Sequence, residues 1–143
     1  MKIAIAGSRK LMTGAATFVA TVVLALGEGD VVLLRAPKEG KPGFFEQDVA
    51  QMCELNGIAY KWCQPQPTED TPGRASVFVR DIDMIGQVDE AILFFTPEDA
   101  AYGYSGTMHL LEKALDAGIR VSAFSVNHRN VVERVGEYDG RVS

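Results

Sequence analysis

The sequence is poor in the residues that build the commonest reactive centres. It has two cysteines, two histidines and one tryptophan in 143 residues. Cys53 and Cys63 form no CxxC and no metal-ligand spacing, so they read as reduced thiols of a cytosolic protein rather than as a disulfide or zinc framework. With only His109 and His128 beside them, a histidine-rich metal site is not expected, and no metal or cofactor is assigned. Basic charge is also short: the net charge is −5, which gives no global field for nucleic acid. An acidic chain binds an anion only through local donors such as backbone N–H groups, helix N-termini or a few arginines. Long apolar runs are nearly absent. The uncharged stretch from Leu11 to Gly27 follows Lys2, Arg9 and Lys10 and faintly resembles a leader. It carries three threonines and two glycines and is short for a membrane span. A buried helix is the better reading, with a cytoplasmic location and no membrane partner.

What the chain does have is hydrophobic content, 47%, enough for a core and for one domain over residues 1–143. Residues 2–6 form a short apolar run ending at Gly7, hence a buried strand. Further strands are expected at 31–34, 58–63, 91–95 and 121–126. Helices are expected at about 12–27, 44–56, 75–87 and 106–117, with Gly57 and Gly118 as C-terminal stops. Residues 64–73 hold three prolines and a glycine and read as a surface loop. The tail from about 129 is expected to form a short helix and fray. Strict alternation of β and α, with strands apolar on both faces, predicts an α/β, Rossmann-like three-layer domain. The expected sheet is five-stranded and mostly parallel, of order 3-2-1-4-5, with right-handed crossovers placing helices on both faces. In such sheets ligands sit outside the carboxyl ends of the strands where the order reverses. The loops after the first and fourth strands are therefore the first candidates.

The first loop is Gly7-Ser8-Arg9. A glycine at a strand end allows close backbone approach, and Ser8 and Arg9 add a hydroxyl and a cation suited to phosphate. Simple turn chemistry explains the glycine equally well, and the loop is not a full GxGxxG fingerprint. The second loop, Tyr102-Gly103-Tyr104-Ser105-Gly106-Thr107, opens a helix. Ser105 or Thr107 suffices as an N-cap, yet the six residues hold two glycines, two hydroxyls and two tyrosines. They read as an anion site, with Tyr102 or Tyr104 placed to stack on a base.

The third feature is a carboxylate in an apolar arc. On a helical wheel, 75–87 buries Val77, Phe78, Ile82, Met84 and Ile85, with Asp81 in the middle and Arg80 at the edge. A carboxylate there is costly unless paired. Either Arg80 and Asp81 make an internal contact, or Asp81 reaches the ligand cleft and binds a ribose hydroxyl or base; the second reading is the one carried forward. On helix 106–117 the apolar face is Met108, Leu110, Leu111, Ala114 and Leu115, with Glu112 at its border. His109 falls with Lys113 and Asp116 on the opposite side, as a surface residue.

Together these segments resemble the SLOG superfamily, Rossmann-like domains that sense or process nucleotide-derived ligands. The group includes YpsA-type proteins, the LOG phosphoribohydrolases and the DNA-processing protein DprA. The resemblance spans Met1 to about Val126. It rests on Met1 to Arg9 at the start, on Arg80-Asp81 where YpsA-like members often carry Arg-Asn, and on Ser105-Gly106-Thr107 followed by a helix and Ala117-Gly118-Ile119. It implies binding of a phosphate-bearing nucleotide or nucleotide-derived ligand, as a sensing or sequestering module. The site residues would be Gly7, Ser8, Arg9, Arg80, Asp81, Tyr104, Ser105, Gly106 and Thr107. A homodimer or higher homo-oligomer is implied too.

The departures bear on catalysis. LOG enzymes carry PGGxGTxxE; here no PGG precedes the turn, and Leu110 stands three after Thr107. An N-glycoside hydrolase or transferase needs a carboxylate at the anomeric carbon. Glu112 is two residues displaced, a helical rotation of about 200°. That leaves the enzyme as the alternative reading, through Glu112 or Asp81. DprA-like binding of single-stranded DNA is disfavoured by the charge.

Overall fold

The computed structural model describes residues 1–7, 22–36, 44–70, 72–97, 106–126 and 132–138. Within them the strands are β1 (Lys2–Gly7), β2 (Val31–Arg35), β3 (Ala59–Cys63), β4 (Glu90–Phe95), β5 (Arg120–Val126) and β6 (Val132–Tyr138). The helices are α1 (Phe44–Leu55), α2 (Arg74–Ile85) and α3 (Gly106–Asp116). Of the helix expected at 12–27, residues 22–24 are helical and 25–27 are not, while 12–21 lie outside the described residues.

The first five strands are parallel in the order β3-β2-β1-β4-β5, as the alternation predicts. The chain steps outward from β1 to β3, crosses back, and continues from β4 to β5, so the order reverses between β1 and β4. There Ile3 pairs with Glu90 and Gly7 with Phe94. The tail departs from expectation: β6 adds antiparallel to β5, from Val126↔Val132 to Val121↔Tyr138. A helix there would carry Gly136 in its interior, whereas a strand uses two valines and a tyrosine and covers the open edge of β5. An antiparallel edge on a parallel sheet is a common solution.

Alternate residues of the parallel strands feed two cores. One face presents Ile3, Ile5, Val32, Leu34, Ile92, Phe94 and Phe124 to Val23 and to Phe45, Val49 and Cys53 of α1. Phe94 packs against Phe45 at 5.0 Å and stacks on Phe124 at 5.3 Å between ring centroids. The other face presents Ala4, Ala6, Leu33, Ala91, Leu93 and Ala123 to Met84 and Ile85 of α2 and Leu110 and Ala114 of α3. Four alanines on that face let the two helices settle close to the sheet and to each other. Each fully buried large side chain contributes about 1.5–3 kcal/mol.

The helix stops fall where expected. After α1, Gly57 takes φ 68° and the Ile58 N–H reaches back to the Cys53 carbonyl at 2.9 Å. After α3, Gly118 takes φ 71° and Ile119 bonds to Ala114 at 3.3 Å. Both are left-handed closures that a Cβ would strain. Among the described residues no helix is long and apolar enough to cross a membrane.

The buried arc of α2 is rotated from the one the wheel predicts. Ser76, Arg80, Asp81, Met84 and Ile85 are buried, while Ile82 is 50% exposed. Leu115 of α3, expected on the apolar face, is exposed as well. The cause is shared: α2 and α3 lie side by side, so each buries residues against its neighbour as well as against the sheet.

Candidate functional site

The reversal point sits at the carboxyl edge of the sheet, where β1 ends at Gly7 and β4 at Phe95. Strand β2 delivers Arg35 to the same edge. Its Nη2 donates to the Gly7 carbonyl at 2.9 Å, to Glu46 Oε1 at 3.0 Å and to Thr107 Oγ1 at 3.2 Å. One guanidinium nitrogen thus joins β1, the first turn of α1 and the first turn of α3. The Arg35 side chain is 13% exposed and Glu46 is 6% exposed, so this is a nearly buried ion pair. Glu46 Oε1 also accepts from the Gly7 N–H at 3.3 Å. Arg35 Nε, itself buried, has no hydrogen-bond partner among the described residues.

Gly7 has a packing reason to be glycine. A Cβ built there would lie 2.5–2.9 Å from the ring of Phe45. The close approach is therefore made by an internal aromatic ring of α1. Thr96, just past β4, and Thr107 are both buried at this edge. The first turn of α3 begins at Gly106, and because α3 follows β4 its N-terminus, the positive end of the helix dipole, lies at the carboxyl edge.

A second cluster lies over the ends of β2 and β3. Arg80 Nε donates to Asp81 Oδ1 at 2.8 Å, and the pair is 7% and 1% exposed. Arg80 Nη1 donates to the carbonyls of Ala36 and Cys63, the latter at 3.0 Å. Asp81 Oδ2 lies 3.4 Å from His109 Nδ1, a long contact. The His109 ring also packs on Phe78 at 4.5 Å. The internal Arg80–Asp81 contact is thus present, the more conservative of the two readings of that pair. His109 is a correction: it is half-buried between α2 and α3, because the side of α3 that looks solvated relative to the sheet faces α2. Burial pushes the Cys63 thiol up, against the opposing pull of Lys61 and Arg80. Burial alone pushes the Cys53 thiol up to about 11.

Of the sequence-predicted site, Gly7, Gly106 and Thr107 are gathered at the reversal point, and Arg80 and Asp81 form the neighbouring cluster. Ser8, Arg9, Tyr104 and Ser105 lie outside the described residues. Glu112, on α3, is exposed. Among the described residues no group of three or more His, Cys, Asp and Glu is placed to hold a metal ion.

Arg35 and Glu46 were not singled out by sequence reasoning. For Glu46 the signal was available: with Val49, Ala50 and Cys53 it falls at i, i+3, i+4 and i+7 on one helical stripe. Those three partners are all buried. It is the same misplaced-carboxylate pattern that marks Asp81. Arg35 gave no such signal, since a charge closing a buried strand reads as the start of a loop.

Comparison of the chain with protein-family models, with curated proteins and with solved structures gives no match.

Proposed function

We propose that the protein binds a phosphate-bearing nucleotide or nucleotide-derived ligand in the crevice outside the carboxyl ends of β1 and β4, as a sensing or sequestering module of the SLOG type. One observation carries the reading: at the order reversal a nearly buried arginine, Arg35, meets the first turn of α3 at Thr107. A guanidinium beside a helix N-terminus is an anion-attracting pair, and the reversal point is where open parallel sheets hold ligands. The sequence resemblance supplies the nucleotide part of the reading.

Gly106 is the residue to test. Gly106→Val adds a side chain at the opening of α3, and calorimetric titration with AMP and ADP should show binding abolished while the far-ultraviolet circular dichroism is kept. Normal binding by the folded variant would put the phosphate elsewhere. Mass spectrometry of small molecules carried through purification identifies the natural ligand. A cytoplasmic location and a homodimer or larger assembly accompany this reading, and light scattering after gel filtration tests the assembly.

The alternative is an N-glycoside hydrolase or transferase. One observation favours it: a buried carboxylate, Glu46, stands at the same edge. Release of free base from AMP, lost in Glu46→Gln, would replace the binding module with the enzyme.

A further inference from the structure

Buried Arg80 and nearly buried Arg35 differ in how their donors are used. Arg80 spreads its bonds over Nε and Nη1, each aimed at a fixed internal acceptor. Arg35 directs every bond described for it through Nη2, which carries two hydrogens and faces three acceptors. Its Nε, beside Nη2 on the same edge of the fork, is buried and unpaired. Buried donors in folded proteins nearly always have partners, so an unused one next to an oversubscribed one calls for an explanation. The Nε–Nη2 edge is the edge on which a guanidinium takes two oxygens of one phosphate or carboxylate.

We infer that Arg35 is the phosphate receptor of this crevice and that Glu46 is its internal counter-ion, exchanged for a ligand phosphate on binding. The inference rests on the binding reading above and names the group that serves it. In the bound state one phosphate oxygen takes the Nε hydrogen and another takes an Nη2 hydrogen. The second Nη2 hydrogen stays on the Gly7 carbonyl. Glu46 gives up Arg35 and keeps its Oε1 on the Gly7 N–H, 3.3 Å away. The first turn of α3, already against Nη2 through Thr107, faces the same phosphate with its N–H groups. Because Glu46 and the phosphate are both anions competing for one cation, the carboxylate weakens binding in this arrangement. Ligand charge is thereby made a threshold: a neutral nucleoside offers nothing to displace Glu46, whereas a phosphate does.

The test titrates nitrogen-15-labelled wild-type protein, Glu46→Gln and Arg35→Lys with AMP, inorganic pyrophosphate and adenosine. The Arg35 Nε–H resonance of the wild type should move with AMP and pyrophosphate and stay with adenosine. Glu46→Gln should bind AMP at least tenfold tighter, and Arg35→Lys, which lacks the fork, at least tenfold weaker. If the wild type binds AMP while the Nε–H resonance is unmoved and Glu46→Gln binds no tighter, Arg35 is a structural tie only; the inference falls and the binding reading stands. If neither AMP nor pyrophosphate binds the wild type, both fall. Should either variant fail to fold, the wild-type Nε–H resonance decides alone.

Discussion

Two corners of one sheet edge each hold an arginine paired with a buried carboxylate, and they are built to different ends. Over β2 and β3, Arg80 and Asp81 sit on the same helix, and the guanidinium ties α2 to the last carbonyls of two strands. Over β1 and β4, Arg35 and Glu46 come from different elements, and the guanidinium reaches two more. The first corner is closed on itself. The second leaves a buried donor unused and stands where the strand order reverses. A buried ion pair is thus not one kind of feature: which donors are used and how many elements they join separates a staple from a receptor.

The sharpest way to break the comparison is to remove the staple. Arg80→Met leaves the Asp81 carboxylate, 1% exposed, without its cation and the Ala36 and Cys63 carbonyls without their donor. The expected cost is about 3–5 kcal/mol, because an uncompensated buried charge is left behind. Urea unfolding monitored by circular dichroism measures it. A loss below about 1 kcal/mol would show that water reaches this corner and that the two arginines are not distinct in kind.

The helix that delivers Glu46 carries a titration of its own. The Cys53 thiol is fully buried on α1 and pushed from 9.0 up to about 11 by that burial. A thiol that is harder to ionise when folded favours the folded state below pH 9, where both states are neutral. Between about pH 9 and 11 the unfolded chain releases the proton and the folded one does not, so stability falls as pH rises. The full loss is about 2–3 kcal/mol. Cys53→Ala should flatten the urea midpoint across that window, at the expense of a cavity. A wild-type midpoint that does not fall more steeply than the variant's from pH 9 to 11 would assign any alkaline loss to other groups.

Gly7→Ala tests the receptor corner without touching a charge. The new methyl meets the Phe45 ring at 2.5–2.9 Å, so the ring must shift, and Phe45 precedes Glu46 and packs on Phe94. Overpacking of this kind costs about 1–3 kcal/mol. Unchanged stability in urea would mean that α1 yields easily, and that Glu46 is held by its ion pair rather than by the core.

How much of this was readable beforehand follows from which forces act locally. Strands and helices were legible because their apolar periodicity is set by the sheet, and the glycines at 57 and 118 because left-handed closure is a local requirement. The parallel sheet followed from the alternation of strands and helices, and the order expected of a Rossmann-like domain is the one found. The tail was misread because β6 owes its shape to antiparallel pairing with the exposed edge of β5, not to an apolar periodicity of its own. Ile82, Leu115 and His109 were misplaced for one reason: a wheel drawn against the sheet ignores the helix–helix side, where α2 and α3 bury Asp81 and half-bury His109 between them. Asp81 was found because it interrupts an apolar stripe. Glu46 interrupts one just as plainly, but in a first turn, where a carboxylate looks like ordinary complement to the helix dipole. Arg35 was invisible because its meaning depends on three elements meeting.

The smallest expected effect belongs to Thr107, and it tests how Arg35 Nη2 divides two hydrogens among three acceptors. Thr107 is buried, and its hydroxyl is the longest-range of the three acceptors of Nη2, at 3.2 Å. Valine has the same branched shape, so Thr107→Val changes neither helix propensity nor packing volume appreciably. If Thr107 alone held one of the Nη2 hydrogens, deleting it would strand a charged donor and cost more than about 1.5 kcal/mol, as loss of a hydrogen bond to a charged group does. Nη2 has two hydrogens and three acceptors, however, so after the change the Gly7 carbonyl and Glu46 still take both. The predicted loss is therefore below about 1 kcal/mol, read from urea midpoints against wild type, and smaller than that of Glu46→Gln. A larger loss would mean that Thr107 holds one of the two hydrogens by itself, leaving Gly7 and Glu46 to share the other, and the ion pair would then be weaker than its 3.0 Å separation suggests.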